Sequence, residues 1–303
     1  MDKLLAMEIF VQVVDAGGFT RAAQQLQLPK ATVSTLLQKL ETTLGTRLLN
    51  RTTRQVSVTA DGAMYYERCL RILGEVRDSE EALSSSKRHA SGRLKVEVPN
   101  GLGSQVILPA LPAFFARYPE VQLELGCSDR MVDLIEEGVD CAVRGGELAD
   151  SSLIARRIGV MRFATCATPA YLAQYGEPQH PEDLRQHRCL HYFSARSGRR
   201  YPMDFERAGE VVEIDTPGPL ALNNSDAYLQ AALAGLGVAQ LPAFMLRPYL
   251  ENGRLHLLLP DWLSRPVPLH VVYPQNRHLS AKVRAFVEWV AELLAHNPDM
   301  QMP

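Results

Sequence analysis

FTRAAQQLQLPKATVSTLLQKLETTLGTRLLNRTTR, residues 19–54, decides how this 303-residue chain is read. Thr20 offers an N-cap ahead of Ala22, Ala23 and Leu26, which fall at helical spacing. Residues 27–30 interrupt that helix, because Pro29 has no amide hydrogen and disfavours helical geometry at Leu28. A second helix is predicted over 31–44, ending at Gly45, a residue suited to a left-handed cap. Val33, Leu36, Leu37, Leu40 and Leu44 give it a buried side. Thr32, Ser34, Thr35, Gln38 and Lys39 are polar or short and can lie along base edges or phosphates. Two helices joined by so short a turn fit a helix-turn-helix.

The charge of the stretch points the same way. Between Arg21 and Thr59 the basic residues are Arg21, Lys30, Lys39, Arg47, Arg51 and Arg54, and the only acid is Glu41. Phosphates are the natural counter-charge, with Lys30, Arg51 and Arg54 as backbone contacts. Residues 55–59, QVSVT, alternate like a short strand and make a basic wing beside the second helix. An ordinary helical hairpin with a solvated basic face fits the pattern too.

Upstream, Leu4, Leu5, Met7, Ile9, Phe10, Val13 and Val14 crowd a helix over 4–15 that is buried on most sides. Downstream, residues 59–62 offer caps for a long helix over 63–86, in which Tyr65, Cys69, Ile72, Val76, Ser79 and Leu83 follow spacings of four and three. That seam suits a helix pair, or an amphipathic helix packed on its own domain. SSSKRHASG, residues 84–92, reads as a hinge.

The order of these elements resembles the N-terminal winged helix-turn-helix of the LysR-type transcriptional regulators. The resemblance is carried by the early apolar helix in MEIFVQVVDAGGFTRAAQQL, then Thr32-Val33-Ser34, Leu40-Glu41, Leu44-Gly45, Leu48 and Arg51. Ala31 and Thr35 depart from it, standing where a hydroxyl residue and an Arg or Lys are common. The resemblance implies a dimerisation helix with Tyr65, Cys69, Ile72, Val76 and Leu83 at the contact, in a homodimer or homotetramer. Its partners are then double-stranded promoter DNA and a small-molecule effector, with RNA polymerase as a possible third.

From residue 93 strands and helices alternate. Strands are predicted over 94–98, 121–125, 139–144, 163–167, 189–193, 201–205, 211–214, 220–222, 238–241 and 269–273. Helices are predicted over 105–117, 131–137, 169–175, 226–233 and 281–294, and PNGLGS, residues 99–104, as a glycine-containing turn. Alternation implies mainly parallel pairing with helices on the faces. The fold class is α + α/β. Similarity to the LysR effector domain, itself similar to periplasmic binding proteins, implies two lobes joined by two crossing strands. The divisions are residues 1–62 for the winged helix-turn-helix, 63–91 for the linker helix and hinge, and 92–303 for the effector domain. Lobe one takes 92–158 plus 267–303, and lobe two takes 159–266.

In open α/β sheets ligands bind beyond the carboxyl ends of strands, where helix N-termini present free amides. Asn100, Gly101, Ser104, Arg144, Ala167, Thr168, Asn223, Asn224 and Ser225 meet that description. Amide donors, hydroxyls and Arg144 favour a small carboxylate-bearing effector, although each residue singly also suits a plain cap or turn.

Composition bounds the rest. With 46% hydrophobic and 22% charged residues and a net charge of -2, the chain is ordinarily globular and its basic segment is local. No signal-peptide pattern or run of about 18 apolar residues occurs, so a cytoplasmic protein is expected. Five cysteines without a CxxC pair support neither a disulfide framework nor a zinc site. Cys166, with Cys189 as a resolving partner, keeps a thiol-switch regulator open. Eight histidines form no metal motif, and GxSxG, HExxH and phosphate-loop patterns are missing, so no enzyme, metal or cofactor is predicted. The rival reading is a small-molecule binding protein whose N-terminal helices serve an interaction other than DNA.

Overall fold

The apolar density of α1 (Lys3–Asp15) is explained by its neighbours. Ile9, Phe10 and Val13 are fully buried against Ala22 and Ala23 of α2 (Phe19–Gln25) and Val33, Leu37 and Leu40 of α3 (Lys30–Leu44). A computed structural model describes residues 2–51, 56–83, 90–146, 153–216, 218–275 and 279–301. These form two units, Met1–Arg88 and His89–Pro303.

In the first unit, α2 starts at Phe19 rather than after Thr20. Its N-cap is Gly18, in extended backbone, and Thr20 lies inside the helix. The turn to α3 closes through Gln27, at φ +53°, with the Leu28 amide on the Ala23 carbonyl. Gly45 ends α3 at φ +71°, the left-handed geometry expected of it. Leu44 departs from expectation, being exposed rather than buried. β1 (Leu49–Arg51) pairs antiparallel with β2 (Val56–Val58) to form the wing. α4 (Ala60–Leu83) starts three residues early, because Thr59 takes the Gly62 amide and so caps the helix. The expected hinge at 84–89 lies outside the described residues.

The second unit is built on a five-stranded sheet of order β4-β3-β5-β14-β6, from β3 (Gly92–Val98), β4 (Val121–Cys127), β5 (Cys141–Gly145), β6 (Leu153–Met161) and β14 (Val267–Pro274). β3 pairs parallel with β4 and β5, whereas β14 is antiparallel to β5 and β6, so the sheet is mixed. A continuous helical run follows β3, as α5 (Asn100–Leu102), a π-turn (Gly103–Ile107) and α6 (Leu108–Arg117). The expected turn at 99–104 is therefore helix from Asn100 onward, with Pro99 as its N-cap. Its glycines serve close approach: a Cβ on Gly101 would stand 2.6 Å from the Met245 sulfur, and one on Gly103 2.5 Å from that of Cys127. The expected helix over 131–137 is only a hydrogen-bonded turn. There the Asp133 carboxylate takes the amides of Ile135 and Glu136, and Gly138, at φ +64°, ends it.

Lobe two lies between β6 and β14. It comprises β7 (Phe163–Ala167), α7 (Pro169–Tyr175), a 3-10 turn (Pro181–Gln186), β8 (Leu190–Tyr192), β9 (Met203–Arg207), β10 (Glu210–Ile214), β11 (Leu220–Leu222), α8 (Ser225–Leu233), β12 (Ala239–Pro242), α9 (Ala243–Glu251) and β13 (His256–Leu258). β8 and β11 pair parallel, but β12-β7-β13 and β9-β10 are antiparallel, which corrects the mainly parallel expectation here. α10 (Ala281–Ala295) returns to lobe one, where Phe286 and Trp289 pack their rings on Phe114.

Candidate DNA interface and effector cleft

α3 sorts its residues by side. Lys30, Thr32, Thr35, Gln38 and Lys39 are exposed and Ser34 is half-buried, while Val33, Leu37 and Leu40 face the core. Glu41, the sole acid of the stretch, is turned toward the wing, accepting the amides of Leu48 and Leu49. Lys30 and Lys39 of α3, Arg21 of α2 and Arg47 after α3 are all exposed, so the unit presents these cations to solvent. β1 carries the backbone of Arg51; that residue's side chain and the whole of Arg54 lie outside the described residues.

Along α4, Cys69 is fully buried and Tyr65 packs on Phe10 with ring centroids 5.8 Å apart, so both serve the core of their own unit. Ile72 and Val76 are half-buried. The side chain of Leu83 lies outside the described residues.

In the second unit Asn100, Gly101, Ser104 and Ser225 come together where the two lobes meet. Asn224 caps α8, its side-chain oxygen taking the Ala227 amide. The amides of Asn100 and Ser225, at the starts of two helices from different lobes, both donate to the Asp129 carboxylate, at 2.9 and 2.6 Å. The Ser225 hydroxyl donates to the same carboxylate at 2.9 Å and accepts the Gly101 amide at 2.9 Å. Asp226 takes the side-chain amide of Asn100 at 2.9 Å and the Ser104 hydroxyl at 3.3 Å. The Tyr192 phenol is raised in pKa, first by burial and then by the Asp129 charge beside it.

The remaining candidates fall elsewhere. The Arg144 guanidinium donates to the Val132 carbonyl, and burial lowers its pKa. Ala167 is fully buried in the core of lobe two. Thr168 caps α7 and lines a groove of about 630 Å³ with Tyr171, Tyr175, Arg188 and Leu236; neither Asn100 nor Ser225 lines it. Asn223 is exposed, and its carbonyl accepts from Tyr192.

Two family models match the sequence: the bacterial regulatory helix-turn-helix protein of the lysR family over residues 4–63, and the LysR substrate binding domain over residues 87–295. The chain belongs to the LysR family. It is 43% identical over 302 residues to an HTH-type transcriptional repressor of Pseudomonas aeruginosa, covering 100% of this chain and 95% of the relative. It is 33% identical over 287 residues to the transcriptional activator AaeR of Escherichia coli, covering 95% and 92%. Among solved structures, CrgA of Neisseria meningitidis matches with TM-score 0.61 and 33% identity over 95% of this chain and 97% of that one. Full-length AphB of Vibrio cholerae matches with TM-score 0.58 and 32% identity, over 95% and 98%.

This LysR-type regulator is thus a transcription factor with a DNA-binding helix-turn-helix and an effector-binding domain, and not an enzyme. Proteins of this type bind promoter DNA and small-molecule effectors, typically as oligomers. Among the described residues no helix is long and apolar enough to cross a membrane.

Its five cysteines are free. Burial pushes the Cys166 thiol up to about 12 and Cys189 to about 11. Cys166 pairs with Ala239 and Cys189 bridges to Val238, so a chain segment runs between the two. Two strand spacings, roughly 9–10 Å, exceed the Cα separation a disulfide tolerates. Sequence reasoning missed Asp129, Asp226 and Tyr192 in the cleft. Asp129 does lie just beyond the carboxyl end of β4, and that position is the signal that could have found it.

Proposed function

We propose that this regulator binds promoter DNA as a homodimer or homotetramer, and that a small carboxylate-bearing effector enters between the lobes of its effector domain. The observation that carries the effector class is the convergence of the Asn100 and Ser225 amides and the Ser225 hydroxyl on one carboxylate. Donors from two helix starts make a place complementary to an anion. For DNA, Thr32, Ser34, Thr35 and Gln38 of α3 would face bases, while Lys30, Lys39, Arg51 and Arg54 would meet phosphates. A thiol switch finds less support, since Cys166 and Cys189 lie either side of a chain segment with their thiols held protonated.

The test is a footprint on DNA flanking the protein's own gene, at two salt concentrations and with a panel of small carboxylic acids. Expected are a salt-sensitive site of two-fold symmetry and a footprint that lengthens or shortens with one acid. Replacing Lys39 by Ala should lower the salt slope by about 1. No protection at low salt on any fragment would sink the DNA assignment, and indifference to every acid would sink the effector class.

A further inference from the structure

We infer that Asp129 is an internal ligand of the effector cleft, a tethered carboxylate that ties the lobes together and that an acidic effector must displace. Asp129 belongs to lobe one, on the loop after β4, yet its carboxylate accepts both the amide and the hydroxyl of Ser225 of lobe two. One oxygen takes the Asn100 amide and the other takes the Ser225 amide and hydroxyl, so a single carboxylate satisfies helix starts from both lobes. The lobes are drawn close at this point. Gly101 donates its amide to Ser225, and a Cβ on Gly101 would stand 2.6 Å from the Met245 sulfur and 3.2 Å from the Ser225 hydroxyl. Asp226 adds a second tie through Asn100 and Ser104.

An external carboxylate therefore competes with one that is always present at high local concentration. The consequence is selectivity: a weak monocarboxylate does not dislodge Asp129, and an effector needs further contacts in the cleft to do so. Displacement also breaks both Asp129 bonds to Ser225, which couples effector entry to the relation between the lobes. The inference rests on the anion-complementary reading of the cleft, but its test does not depend on knowing the effector.

The experiment is chemical rescue of the full chain with formate, read as thermal midpoint and compared with chloride at equal ionic strength. Asp129→Ala should lower the midpoint of the effector unit by roughly 5 °C. Formate should then raise it saturably, at concentrations at least about tenfold below any that act on the unsubstituted protein. Asp129→Asn, which fills the space with an uncharged group, should lose stability without rescue, and Asp129→Ala combined with Ser225→Ala should abolish the rescue. Where the alanine chain does not fold, Asp129→Ser enters the same comparison. If formate does no more than chloride, or acts equally with and without Asp129, the internal ligand is refuted, whatever the footprint does. If rescue succeeds while no acid alters the footprint of the unsubstituted protein, the internal ligand stands and the acidic-effector reading falls.

Discussion

Glu41 reaches past the turn at Gly45 to Leu48, accepting its amide at 2.9 Å, and the same oxygen takes the Leu49 amide at 3.2 Å. The carboxylate thus fixes the end of α3 to the first wing strand. This residue would repel phosphates if it faced them; bonded to the backbone, it sets the geometry of residues that attract them.

Glu41→Ala should therefore cost about 1–3 kcal/mol of stability by leaving two amides without their acceptor. DNA affinity should fall with it, although Glu41 is not assigned a base or phosphate contact. Urea unfolding beside gel-shift titration would show this, and an unchanged midpoint with unchanged affinity would remove the role.

Gly62 marks a second point where the wing is fixed. A Cβ there would stand 2.0 Å from the Leu48 carbonyl oxygen and 2.8 Å from the Val58 side chain. Because the first obstacle is backbone, Gly62→Ala should destabilise the N-terminal unit by about 3 kcal/mol or more, at the upper end of overpacking costs. A thermal melt within a degree of the parent would contradict the close packing of α4 on the wing.

The buried cysteines give a chemical prediction. With thiols pushed up to about 12 at Cys166 and about 11 at Cys69 and Cys189, almost no thiolate exists at neutral pH. Native protein at pH 8 should alkylate at these sites far more slowly than protein in denaturant, and peroxide should leave DNA binding intact. Rapid native labelling of Cys166, read by mass spectrometry, would reopen the thiol switch.

His187 and His191 make stability depend on pH. Burial lowers the pKa of both; Asp183 opposes this at His187, and Arg200 adds to it at His191. The unfolded chain, titrating near 6.5, then binds more protons than the folded one just below that pH. Stability should be complete above about pH 7 and decline as pH falls from 6.5 toward the depressed folded values. Melts from pH 7.5 to 5 should show the decline, and replacing both histidines by Asn should flatten it; an equal slope in the double variant would refute the assignment.

Much of this was legible in the chain itself, for identifiable reasons. The periodicity of Val33, Leu37 and Leu40, bounded by Pro29 and Gly45, marked α3 because local pattern and packing agree there. The PNGLGS segment misled because Gly101 and Gly103 answer to Met245 and Cys127, residues distant in sequence. α9 was hidden by Pro248 inside it, and β6 by the exposed Arg156 and Arg157 in mid-strand. Helix-start residues of the cleft could be picked out by caps and turns, whereas the only mark on Asp129 was its place just past the end of β4. An acid looks wrong for an anion site until its bonds to Asn100 and Ser225 are seen.

The place of β14 bears on how the protein is made. Residues 267–274 insert between β5 and β6, which left the ribosome more than a hundred residues earlier, and α10 packs on the same sheet later still. The helix-turn-helix closes through contacts within its first eighty or so residues and can form on the nascent chain. Lobe one must wait, with the ladder edges of β5 and β6 unpaired throughout synthesis of lobe two. A stop codon shortly before residue 267 would yield a chain with a formed DNA-reading head and an open sheet, a species prone to aggregate rather than a constitutively active fragment.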